Sequence, residues 1–141
     1  VTTAQDSRTT DAADEVIAGI RDMYDAFTVN DRERFDSHLH HATTTWESEL
    51  PRMYTRADLD EFRDRRGDSG ERTVVSEVVV IPQRVEVWGD TAVAAYLLRV
   101  VTPDAAPDGV TRVTDVLRRG EDGWRIVHHH AQDRDVDDPT A

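Results

Sequence analysis

From Asp11 to Val29, apolar residues recur at three- and four-residue steps: Val16, Ile17, Ile20, Met23, Tyr24 and Phe27. That spacing lays one apolar stripe along a helix. Asn30 is placed to cap a second, short helix, with Glu33 as its capping-box partner and Phe35 and Leu39 facing inward. TTTWESE (43–49) is β-branched and aromatic and predicts a short strand. Thr55 and Asp58 form a capping box that opens a third helix; Leu59 and Phe62 lie on its inner face and Gly67 is its expected stop. From Thr73 onward the apolar period falls to that of strands. RTVVSEVVVI and QRVEVW meet at Pro82, where a bend or bulge is expected. Gly89-Asp90 is a hairpin turn into TAVAAYLLRVVT (91–102). After the loop PDAAPDG (103–109), GVTRVTDVLRR (109–119) and WRIVHHHAQ (124–132) form a last hairpin around GEDG. The order α-α-β-α-β-β-β-β predicts an α+β domain, with a curved antiparallel sheet wrapped around N-terminal helices.

The 141 residues suit one domain. It is expected over residues 11–132, with flexible tails at 1–10 and 133–141. The net charge of −12, carried against 17 basic residues that are all arginine, repels phosphate backbones and anionic lipid; nucleic acid and membrane are not expected partners. Without cysteine there is no disulfide, thiolate metal site or thiol nucleophile, which fits a cytoplasmic protein. The polar start VTTAQDSRTTDAADE lacks the apolar core of a signal peptide. No phosphate-binding glycine loop and no Gly-x-Ser-x-Gly is present, so no nucleotide cofactor or serine nucleophile is expected.

Three stretches carry a family resemblance. The long helix ends in VND (29–31) and leads through the short helix to TTTWESE. IPQRVEVWGDTAVAAYLLRV (81–100) brings a proline, a glycine turn and a Tyr-x-x-Arg run. RRGEDGWRIVHHHAQ (118–132) is a final hairpin with Gly-Trp and histidines spaced by one. In this order they resemble the NTF2-like superfamily: the SnoaL-like polyketide cyclases, the ketosteroid isomerases and the association domain of calcium/calmodulin-dependent kinase II. The resemblance implies a conical pocket between helices and sheet that holds a small molecule. It also implies a homodimer through the outer sheet face.

Compared residue by residue with the isomerases, Glu47 falls where that family holds its general base. Asp115 falls where it holds a protonated oxyanion-hole acid. Tyr24 lies near the family's phenol, although a gapless count lands on Met23, a rotation of about 100° away on a helix. Arg99 matches the arginine of the association domains that is expected to reach the pocket, where it would pair with Asp115 and keep it ionised.

The three histidines are read from strand alternation. His128 and His130 share a face with Trp124 and Ile126, and line the pocket; His129 points the opposite way, toward the dimer side. An imidazole in the pocket can act as acid or base near neutral pH. Consecutive strand histidines cannot converge on one ion, so no metal site is expected. The expected catalytic residues are Glu47, Asp115 and His128. The expected ligand-binding residues are Arg99, Tyr24, His130 and Tyr54. Trp46, opposite in facing to Glu47, is expected in the core, and Tyr96 in core or dimer packing. Two functions stand side by side: a cofactor-free isomerase, cyclase or dehydratase working next to a carbonyl, and a non-catalytic domain that binds a ligand or dimerises.

Overall fold

The computed structural model describes residues 4–69, 75–103 and 110–134. Three helices, α1 (Ala4–Thr28), α2 (Arg32–Asp36) and α3 (Arg56–Ser69), accompany six strands: β1 (Leu39–Glu47), β2 (Tyr54–Thr55), β3 (Glu77–Trp88), β4 (Thr91–Val101), β5 (Val110–Gly120) and β6 (Gly123–Arg134). The strands form one curved, open sheet in the order β2-β1-β6-β5-β4-β3. All neighbours run antiparallel except β1 and β6. This is the expected α+β architecture, with the helices against one sheet face.

The apolar stripe of α1 supplies the core. Val16, Ile17, Ile20, Met23 and Tyr24 pack on Val80, Ala92, Ala94, Tyr96, Leu98, Val113, Leu117 and Ile126. Burying each large side chain contributes about 1.5–3 kcal/mol. Even-numbered positions of β4 and odd-numbered positions of β5 are the buried ones, so the helix-facing side of the sheet follows the simple two-residue period there.

Several boundaries differ from the sequence expectation. α1 begins at Ala4, within the stretch expected to be a tail. Asp31, not Asn30, caps α2, its carboxylate accepting the Arg34 amide at 3.1 Å. Asn30 instead takes the left-handed turn, φ 63°, that reverses the chain between the helices. Leu39 is the first residue of β1 rather than part of α2, although it does face the core. α3 runs through Gly67 to Ser69. β3 opens at Glu77; the earlier start expected at Thr73 lies outside the described residues, as do loop positions 104–109 and tail positions 135–141.

The Thr55–Asp58 box closes as expected, with the Asp58 amide donating to Thr55 Oγ1 at 3.2 Å and the Thr55 amide to Asp58 Oδ2 at 3.0 Å. The register of β3 on β4 shifts between Pro82 and Arg84, which places a bulge at Gln83. α3 is fastened to α2 by charge: Arg63 reaches Asp36 at 2.6 Å, Arg56 reaches Asp36 at 3.2 Å and Arg32 reaches Asp64 at 2.7 Å. Its Phe62 packs on Tyr54 of β2, ring centres 6.2 Å apart.

Candidate functional site

On the helix-facing side of the sheet, five polar side chains form one connected line. Asp115 of β5 is fully buried. Its Oδ2 accepts the Tyr96 hydroxyl at 2.6 Å. Since that proton is committed, Tyr24 of α1 donates to the Tyr96 oxygen, 3.0 Å away. Asp115 Oδ1 accepts from His129 Nδ1 at 2.6 Å. The other ring nitrogen of His129, Nε2, lies 3.4 Å from Glu47 Oε1 at the end of β1. Thr45 also donates to that oxygen, at 3.2 Å. The line runs from the core to the surface: Asp115 is inaccessible, the His129 side chain is 15% exposed and that of Glu47 39%.

The charges follow from this placement. Burial works against the His129 imidazolium. The charge and hydrogen bond of Asp115, and then those of Glu47, outweigh that cost and raise its pKa to about 10. His129 is therefore a cation at neutral pH, with Nδ1–H locked on Asp115. Contact with His129 holds Glu47 below the ordinary carboxylate range, against the opposing effect of burial. Burial, reinforced by the Asp115 charge, pushes the phenols of Tyr24 and Tyr96 well above their ordinary value. Both stay neutral phenols.

The linkage fixes a pH dependence of stability. A histidine whose folded pKa exceeds its unfolded value of 6.5 stabilises the fold fully below pH 6.5 and loses that contribution as pH rises toward about 10. Urea-unfolding midpoints are expected to fall from pH 6.5 to pH 9.5, and His129→Gln to flatten that decline.

The structure brings together three of the expected residues, Glu47, Asp115 and Tyr24. Tyr24 and Met23 both face the core, so the one-residue offset does not take the phenol away. Tyr54 pairs with Thr45 across β1 and β2, and so lies on the same sheet face as Glu47. His128 and His130 do not join them. Leu117 pairs with Ile126 but Val116 pairs with His128, so Val127 is an extra residue, a bulge in β6. It reverses the alternation, and His129 rather than His128 turns inward opposite Asp115. His128 bonds Thr44 Oγ1 at 2.7 Å on the outer face, where burial and then its histidine neighbours lower its pKa. His130 stacks on Trp46, ring centres 5.4 Å apart, and Trp46 is an exposed outer-face residue, not a core one.

Arg99 is likewise exposed on the outer side of β4, opposite Val79, while Asp115 pairs with Ala94; the expected Arg99–Asp115 pair does not exist. Tyr96 occupies the place expected of Arg99. Its parity put it on the Ala94–Leu98 face, and a buried phenol needs a hydrogen-bond partner, so the sequence did hold a signal for it. Nothing in the sequence marks the bulge at Val127. Among the described residues no cluster of three metal-ligating side chains occurs. An open groove of about 670 Å3 lies between α1 and β3, lined by Ile17, Arg21, Asp22, Pro82 and neighbours. It contains none of the five network residues; the network holds the one fully buried carboxylate among the described residues, Asp115.

A family model described as the SnoaL-like domain matches residues 16–131, nearly the whole sheet and the core-forming part of α1. The chain belongs to the SnoaL-like domain family. Solved structures agree on the fold. An NTF2-like protein of unknown function from Pseudomonas putida KT2440 is 19% identical, with a TM-score of 0.72 over 88% of this chain and 87% of that one. The CaMKII hub of S. rosetta is 21% identical, with a TM-score of 0.71 over 86% and 96%. A putative ketosteroid isomerase from Parabacteroides distasonis ATCC 8503 is 19% identical, with a TM-score of 0.64 over 89% and 88%. No curated protein matches the sequence. At these identities the shared property is the SnoaL-like fold, which carries both isomerase-like and hub neighbours. Among the described residues no helix is long and apolar enough to cross a membrane.

Proposed function

We propose that this SnoaL-like chain binds a small carbonyl compound over Glu47 and His129 and moves a proton next to the carbonyl without a cofactor. The supporting observation is the geometry of His129: a largely buried ring held at Nδ1 by Asp115, which raises its pKa, and whose outward Nε2 has only a 3.4 Å contact to Glu47. At that length the donor is weakly used. A substrate carbonyl oxygen could take it, and the imidazolium would then hold the charge that develops as the enolate forms.

Glu47 is the base in this reading. Its carboxylate removes the proton from the carbon beside the carbonyl, then returns it to another carbon or to a departing hydroxyl, giving isomerisation or dehydration. Asp115 is a positioning residue that fixes the His129 tautomer and charge, and Tyr96 with Tyr24 holds Asp115. The tyrosine protons are already used, so the oxyanion donor is His129 rather than a phenol. Tyr54, on the same sheet face, would line the ligand.

The test is proton exchange. Small cyclic and β,γ-unsaturated ketones incubated with the protein in D2O are expected to lose their α-protons faster than in buffer, read by proton NMR. Rates equal to buffer across the panel, with the protein folded, would favour the non-catalytic reading.

That second reading rests on the outer sheet face. Val93, Ala95, Leu97 and Val116 share it, and Trp46, 51% exposed, lies on the same face two strands away from β5, on β1. An apolar patch of this kind suits a homodimer, and the CaMKII hub shares the fold. Dimerisation through this face is compatible with catalysis on the other.

A further inference from the structure

Three strands of the outer face depart from the charge of the whole chain, whereas β3 carries Glu77 and Glu86 there beside Arg84. The outward positions described on β4, β5 and β6 carry Arg99, Arg112, Arg118 and Arg125 and no carboxylate, in a protein of net charge −12. At the β5–β6 hairpin end the concentration is greatest. Arg118 and Arg125 stand directly opposite each other on neighbouring strands, an arrangement that like charges disfavour. Arg125 has only a 3.5 Å contact with Asp122, whose side chain is 83% exposed. Arg118 makes no ion pair among the described residues.

His40 of β1 adds a third donor. Leu39 pairs with Ile126, so the next residue, His40, lies on the strand beside Arg125; its pKa is lowered by burial first and then by the charges of His41, Arg125 and Arg118. Its Nδ1 accepts the Ala42 amide at 3.0 Å, so the ring proton sits on Nε2. The His41 ring packs beside it, centres 4.1 Å apart.

We propose that Arg118, Arg125 and the Nε2–H of His40 form a binding site for a small oxyanion of the phosphate or sulfate type. Two guanidinium forks and a neutral imidazole donor offer the planar, charge-assisted hydrogen bonds that such an anion takes. Bound there, it would neutralise the Arg118–Arg125 repulsion. The site lies on the opposite sheet face from Glu47 and His129 and does not depend on the proton-transfer reading.

The experiment is a titration of the full chain with inorganic phosphate at constant ionic strength, followed by amide and histidine side-chain NMR. Saturable shifts centred on His40, Arg118 and Arg125, displaced by sulfate, are expected. Arg118→Gln is expected to weaken binding about tenfold or more while leaving Tm unchanged or higher, because a like-charge pair is relieved. Arg125→Gln is the second variant should the first fold poorly. Shifts that do not saturate, or that are unchanged in the folded variants, would overturn the site.

Discussion

Asp115→Ala is expected to lower the free energy of unfolding by about 3–5 kcal/mol, the range for removing one partner of a buried charged pair. The aspartate is fully buried and accepts from both Tyr96 and His129. Its removal leaves a phenol without an acceptor and an imidazolium without its main counter-charge. Asp115→Asn should cost less, since an amide oxygen still accepts from Tyr96 and its NH2 can donate to a neutral His129 Nδ1. The two substitutions thus separate loss of hydrogen bonding from loss of charge. Denaturant unfolding at pH 7 measures both. A change below about 1 kcal/mol for Asp115→Ala would mean that the network does not hold the core.

Glu47→Gln is the converse case: a large effect on turnover and a small one on the fold. General acid–base groups contribute about 10²- to 10⁴-fold in rate, and that is the loss expected in proton exchange or in any turnover the chain supports. Stability should move by less than about 1 kcal/mol, because the carboxylate is partly exposed and solvent screens its attraction to His129. Thr45 can still donate to the amide oxygen. A variant that keeps full exchange would remove Glu47 as the base. A variant that loses both activity and fold would place Glu47 among the structural residues.

The contrast between these two carboxylates shows what the sequence could and could not reveal. The α1 stripe, the Thr55–Asp58 box, the bulge near Pro82 and the Gly89 turn all follow from local rules, and each is present. Glu47, Asp115 and Tyr24 were legible because the family resemblance aligned them. His129 was not. Strict alternation from Trp124 and Ile126 points His128 inward, and one extra residue at Val127 reverses this. A bulge of that sort depends on pairing between distant strands, and Val127 fits either facing. Arg99 failed for a different reason. The Tyr-x-x-Arg motif fixed a spacing, but alternation places its two ends on opposite faces, and the tyrosine is the end that meets Asp115.

The charge of His129 carries both the stability account and the proposed mechanism, and side-chain NMR reads it directly. In 15N-labelled protein, both ring nitrogens of His129 are predicted to stay protonated from pH 6 to pH 9, with titration only near the value of about 10 set by Asp115 and Glu47. Titration near the ordinary 6.5, or a neutral ring at pH 7, would contradict the locked imidazolium and with it the role given to Glu47 and His129.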